Sequence, residues 1–317
     1  SDPANPVAGQ VWYNTTTNVV KGLIVTTEAA WGTANSMNTA RQSLAAAGTQ
    51  TAALAIGGSV PPNTAITESY NGTSWTEVAD LNTARSSLVG AGTQTSALAY
   101  SGNGPPELAV TESWNGSSWT EVADLNTARR LAAGAGTDNT NAICFGGFDP
   151  GSLPTGGLTV TETWNGSSWT EVNNLNTSRV GLAGVAATNT AALAMGGGRP
   201  PGANPSALVE NWNGTSWTEV GDLNTARGAL AAAGTNTDAL AFGGDAPPFS
   251  ALTEQWNGSA WTEVNDLNTG RTGDLGGAGS TTAALAFGGN AAGPTITGAT
   301  EEWNGPGTSI VKTFTDS

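Results

Sequence analysis

The stretch Thr67–Arg85, TESYNGTSWTEVADLNTAR, decides the reading of this chain, because nearly the same letters return throughout its 317 residues. Its last five positions occur six times: MNTAR ending at Arg41, LNTAR at Arg85 and Arg129, LNTSR at Arg179, LNTAR at Arg227 and LNTGR at Arg271. Successive arginines stand 44, 44, 50, 48 and 44 residues apart. Repetition at a nearly fixed period marks a fold assembled from one small unit used many times.

Working outward from the quoted stretch, each period holds its features in one order. A small apolar run such as SLAAAGT comes first, then a second such as AALAIGG, a proline-containing loop, and the quoted stretch itself. Two apolar runs and two β-branched or aromatic segments flanking Asn-Gly predict four short strands. Asn71-Gly72, with its counterparts at Asn115, Asn165, Asn213 and Asn257, predicts a hairpin between the third and fourth strands through a type I′ turn. Four strands in a period of about 44 residues match one propeller blade, which takes roughly 40 to 50 residues. The expected fold is therefore all-β: a six-bladed β-propeller with four antiparallel strands per blade.

The sixth repeat breaks off after Trp303, with no later tryptophan. Trp31 stands ten residues before Arg41, the interval that separates Trp75 from Arg85, so the segment AAWGTANSMNTAR, residues 29–41, reads as an orphan fourth strand. Pairing it with the last third strand would close the ring through the two ends of the chain and remove the open sheet edges. SIVKTF, residues 309–314, is the competing strand. The organisation expected is an attachment segment at 1–30, the propeller at 31–304 and a C-terminal segment at 305–317.

These residues resemble the kelch family over about residues 31 to 304. The pattern consists of an arginine opening the first strand, a Gly-Gly pair ending the second, an aromatic in the third and a tryptophan soon after. Here the pairs are Gly57-Gly58, Gly146-Gly147, Gly196-Gly197, Gly243-Gly244 and Gly288-Gly289, with Ser101-Gly102 as the departure. The third-strand aromatics are Tyr70, Trp114, Trp164, Trp212, Trp256 and Trp303. Kelch-like propellers include the galactose oxidase family, whose copper site needs histidine and tyrosine ligands. This chain has no histidine at all, so that site cannot be assembled, and zinc catalysis and a histidine-based triad fail for the same reason. No cofactor, no metal and no catalytic residue is expected.

Composition narrows the partners. Twenty-five acids against ten bases give a net charge of −15, which repels nucleic acid and anionic membranes. No run reaches the roughly 18 to 20 apolar residues of a membrane helix, so no membrane insertion is expected. The single cysteine, Cys144, occupies the position held elsewhere by Ile56, Tyr100, Met195, Phe242 and Phe287, and reads as core.

In an up-and-down blade, the connection into the first strand and the loop between second and third strands lie on one face. That face carries Arg41, Arg85, Arg129, Arg179, Arg227 and Arg271, along with the loops that hold nearly all the length variation. Two readings of the arginines stand side by side. Each serves its blade by binding carbonyls or a neighbouring glutamate, or together they ring the channel mouth and hold an anionic or polyhydroxyl ligand. The loops add Phe148, Arg199 and Phe249 as ligand-binding candidates, since variable loops on a rigid scaffold are the usual layout of a recognition surface.

Outside the propeller lie the only two lysines, Lys21 and Lys312. The segment GQVWYNTTT, residues 9–17, resembles a short element of tail-fibre and other virion-associated proteins of bacteriophages. That resemblance implies display on a virion or another extracellular location, with the termini docking to other virion proteins and the loop face binding a host-surface glycan or protein. A structural decoration or adaptor role is the alternative, and a polysaccharide hydrolase or lyase a more distant one.

Overall fold

A computed structural model describes residues 2–3, 10–25, 29–104, 106–152, 156–199, 204–246, 249–291, 295–305 and 309–314. The described residues form short β-strands and no helix. Six antiparallel sheets of four strands repeat along the chain, the first made of Ala45–Thr49, Ala52–Ile56, Thr67–Tyr70 and Trp75–Glu77 in that spatial order. The first strands pack side by side, each against the next, and the last, Gly276–Ser280, packs against the first, Ala45–Thr49.

The last sheet takes its fourth strand from the other end of the chain. Ala30–Ala34 pairs antiparallel with Thr300–Asn304, with Trp31 opposite Trp303. Ser309–Phe314 instead pairs with Val19–Val25, which also pairs with Val11–Asn14, so the two terminal segments form a small sheet of their own.

The core is a set of contacts between neighbouring sheets. Each second strand is buried along its length, as in Ala53, Leu54, Ala55 and Ile56, all at 0% exposure. The fourth-strand tryptophan lies against the second-strand aromatic of the preceding sheet: Trp169 against Tyr100, Trp217 against Phe145, Trp31 against Phe242 and Trp75 against Phe287, all with ring centroids 4.9 Å apart. Its indole N–H also reaches back, from Trp169 to the Thr111 hydroxyl at 3.0 Å and from Trp217 to that of Thr161 at 3.1 Å. Where Val209 replaces that threonine, Trp261 turns to the Gly221 carbonyl at 3.1 Å. Cys144 is fully buried as expected of core, but one place earlier than the sequence reading put it: Phe145 is the counterpart of Ile56 and Cys144 that of Ala55, and burial pushes its thiol up to about 11.

The Gly-Gly pairs exist because sheets meet there. Gly58 has a φ of +106°, and a Cβ on it would lie 2.8 Å from the Gln42 carbonyl oxygen. Its N–H donates to the Arg85 carbonyl of the next sheet at 2.9 Å, and the last pair repeats this with Gly289 donating to the Arg41 carbonyl at 2.8 Å.

The Asn-Gly hairpins form, but not through the expected two-residue turn. Tyr70 pairs with Trp75, leaving a four-residue loop in which only Gly72 has a positive φ. The Asn71 side-chain oxygen accepts from the N–H groups of Thr73 and Ser74, both at 2.9 Å, so the side chain makes the turn that the backbone was expected to make.

Candidate binding face and channel mouth

Each LNTAR segment binds one carboxylate. In the fifth sheet, Arg227 donates to Glu254 Oε1 at 2.8 Å and to the carbonyls of Leu252 at 2.7 Å and Gly243 at 2.9 Å. Glu254 Oε2 accepts from the Asn224 backbone at 2.7 Å and its side chain at 2.8 Å. Leu223 anchors the segment in the core. The same pairing joins Arg41 to Glu68, Arg85 to Glu112, Arg129 to Glu162, Arg179 to Glu210 and Arg271 to Glu301, at 2.7–3.0 Å.

All six arginines are at 0% exposure. Burial pulls Arg41, Arg85, Arg227 and Arg271 below the usual guanidinium value, and the facing glutamate offsets part of that effect. A ligand approaching from solvent does not meet these groups, so the reading of them as an accessible ring is corrected. They fasten the connection entering each sheet to its third strand.

The loops do share the arginine end of the sheets. The residue after each repeat arginine bridges to the start of the loop that follows the second strand, as in Gln42 with Ser59, Ser86 with Asn103, Arg130 with Phe148 and Gly228 with Asp245. Phe148 is half-buried, with the Arg130 guanidinium 4.9 Å from its ring centroid. Arg130 is 31% exposed and also pairs with Glu107 of the preceding sheet's loop. This cation–π and ion-pair cluster bridges two sheets at the surface. Phe249 is half-buried. The Arg199 backbone pairs with Asn204, and its side chain lies outside the described residues.

Sequence reasoning missed Arg130 and Glu107. The signal was present, since Arg130 is one of only two arginines that stand off the repeat position.

A channel runs between the six first strands. Glycine and alanine face it, among them Ala46, Gly90, Gly134 and Gly184. A Cβ on Gly134 would lie 2.5 Å from the Tyr100 hydroxyl of the preceding sheet, so the bare backbone makes room for that aromatic. At the end where the chain enters the first strands, Ser43, Ser87, Leu131, Gly181, Ala229 and Asp274 all have a left-handed φ of 48–57°. Backbone hydrogen bonds run through them from sheet to sheet: Ser87 donates to Ser43, Leu131 to Ser87, Gly181 to Leu131 and Ala229 to Gly181, at 2.8–3.1 Å.

No family model and no curated protein sequence matches the chain. Its fold is similar to that of the solved structure of YjhT, with a TM-score of 0.70 over 88% of this chain and 99% of that one, at 12% identity. The chain is a β-propeller. At that identity the likeness is one of fold alone, and what the propeller does rests on its own residues. Among the described residues of the propeller, no group of three or more cysteine, aspartate or glutamate side chains is placed to hold a metal ion.

Proposed function

We propose that this chain is a closed, six-bladed, kelch-like propeller that serves recognition without catalysis, displayed on a virion or in another extracellular setting. Its loop face binds a host-surface glycan or protein. The observation that carries the reading is the contrast on that face. The repeated arginines and glutamates are consumed internally, whereas the Glu107–Arg130–Phe148 cluster, which departs from the repeat, stays at the surface. An aromatic ring with a flanking guanidinium and carboxylate suits a sugar face and its hydroxyls, or a polar protein epitope. The test is a glycan array combined with whole-cell binding. Phe148→Ala together with Arg130→Ala should lower binding at least tenfold at an unchanged melting temperature, whereas normal binding by that double variant would overturn the assignment of the face.

A second reading, a decoration or adaptor docked through its ends, is favoured by the terminal sheet, where Val11, Tyr13 and Val20 are 62%, 54% and 40% exposed. If residues 31–304 alone still joined the parent particle, that reading would lose its basis.

A further inference from the structure

The channel mouth breaks the sixfold pattern at one place. Five repeats run from arginine to the Leu or Ala just before the first strand in three steps, as in Arg41-Gln42-Ser43-Leu44. The sixth takes four, Arg271-Thr272-Gly273-Asp274-Leu275. The extra residue changes the hydrogen-bonded circuit. Ser43, Ser87, Leu131 and Gly181 each accept from the corresponding residue of the next sheet, but in the sixth repeat it is the Gly273 carbonyl, not that of Asp274, that accepts from Ser43, at 2.9 Å. Gly273 takes over the structural duty, and Asp274 is left to face the channel.

Asp274 lines a cavity of about 120 Å³ at this mouth and is, among the described residues, the only titratable one lining it. Burial pushes its carboxyl up to about 6, while a hydrogen bond with the Ser43 side chain pulls the other way. Among the described residues that line the channel there is no cation, so none of them supplies a counter-charge to the carboxylate present at neutral pH. Around the circuit, Asp274, Ser43 and Ser87 are consecutive and polar, and Leu131, Gly181 and Ala229 complete it as an apolar arc. The cavity is larger than a single water needs, roughly 10–15 Å³ in the same measure.

We propose that this mouth is a binding site for the ammonium group of a small organic amine, such as an amino sugar. The Asp274 carboxylate, held by the Ser43 side chain, and the Ser87 hydroxyl accept from the ammonium, and its carbon skeleton lies against Leu131 and Leu230, which line the same cavity. Residues repeated in every blade serve the blade, and the one inserted residue places a charge where five blades have none. The site shares a face with the proposed recognition loops but does not depend on them.

Titration calorimetry with glucosamine, ethylammonium and the uncharged N-acetylglucosamine tests the proposal on the full chain. Both amines should bind in the millimolar range or tighter, with at least a tenfold loss for N-acetylglucosamine and for Asp274→Asn. Affinity should also fall as pH drops below about 6 and the carboxylate takes up a proton. Ser87→Ala, which leaves the carboxylate in place, should weaken binding severalfold at an unchanged melting temperature. Equal affinity of Asp274→Asn for the amines, equal affinity for N-acetylglucosamine, or no binding of either amine up to about 50 mM would overturn the proposal. Phe148→Ala should leave amine binding intact. Loss of cell attachment in that variant with amine binding retained, or the reverse pattern in Asp274→Asn, separates the fate of this site from that of the loop face.

Discussion

Arg227 costs solvation when it is buried and returns it through a guanidinium whose fork spans a carboxylate and two carbonyls at once. Truncation leaves Glu254 charged and enclosed. Arg227→Ala should lower stability by about 3–5 kcal/mol, and Arg227→Lys should lose much of the same, because an ammonium is a point charge that cannot reproduce the fork. Urea denaturation checks both, and a loss below about 1 kcal/mol would mean that the pair is solvated. Ser101 runs the opposite way. It holds a φ of +61° where the other repeats have glycine, is fully buried, and its hydroxyl has no partner. Ser101→Gly should therefore raise stability by about 1 kcal/mol, read as a higher denaturation midpoint at an unchanged slope.

The fourth strands stand at the outer edges of the sheets, where asparagine side chains of the LNTAR segments cap only the tryptophan carbonyl, as Asn38 does for Trp75 at 3.0 Å. Five of them carry an exposed glutamate, Glu77, Glu121, Glu171, Glu219 and Glu263. Charge on an edge strand discourages pairing with another molecule. Replacing Glu121, Glu171 and Glu263 with valine should leave the circular-dichroism spectrum unchanged and produce concentration-dependent association in light scattering, and a triple variant that stayed monomeric at high concentration would refute this role. At this scale much was legible from sequence, because strands bounded by Asn-Gly and Gly-Gly announce their ends. The turn type was not, because an asparagine side chain can close a loop as well as its backbone can. Nor was the arginine's direction. A charged residue repeated beside a loop reads alike whether its fork points inward or out, and the partner that turns it inward lies 27 residues away in Arg41–Glu68 and across two strands. The Arg130–Phe148 contact stands at a bridge that every repeat forms, but the residues filling it differ from repeat to repeat, so the pattern alone did not announce a cation over a ring there.

At the scale of the molecule, stability is circular. Each sheet buries its faces only against two neighbours, so the junction held by Ala30–Ala34 matters to the whole. Trp31 is 5% exposed and packs on Phe242 and Trp303. Trp31→Ala should cost about 3–5 kcal/mol, and because it opens an edge as well as a cavity, it should also convert reversible thermal unfolding into aggregation. Calorimetric rescans would show this, and full reversibility would argue that the junction is independent of the rest.

The small sheet built from both ends has a mechanical consequence. Val20 lies opposite Phe314, and Ala30 lies opposite Asn304, so both ladders present the outer ends of the chain on the same side. Tension applied to the two termini would load one hydrogen bond at a time, peeling first Val19–Val25 from Ser309–Phe314 and then Ala30–Ala34 from Thr300–Asn304. In a single-molecule pulling experiment the junction should yield at low force before any blade unravels, while traction through the loop face would meet the whole circle in parallel. A particle that hung this protein by both ends would carry it on a zip, and a single high-force rupture with no earlier step would refute that picture.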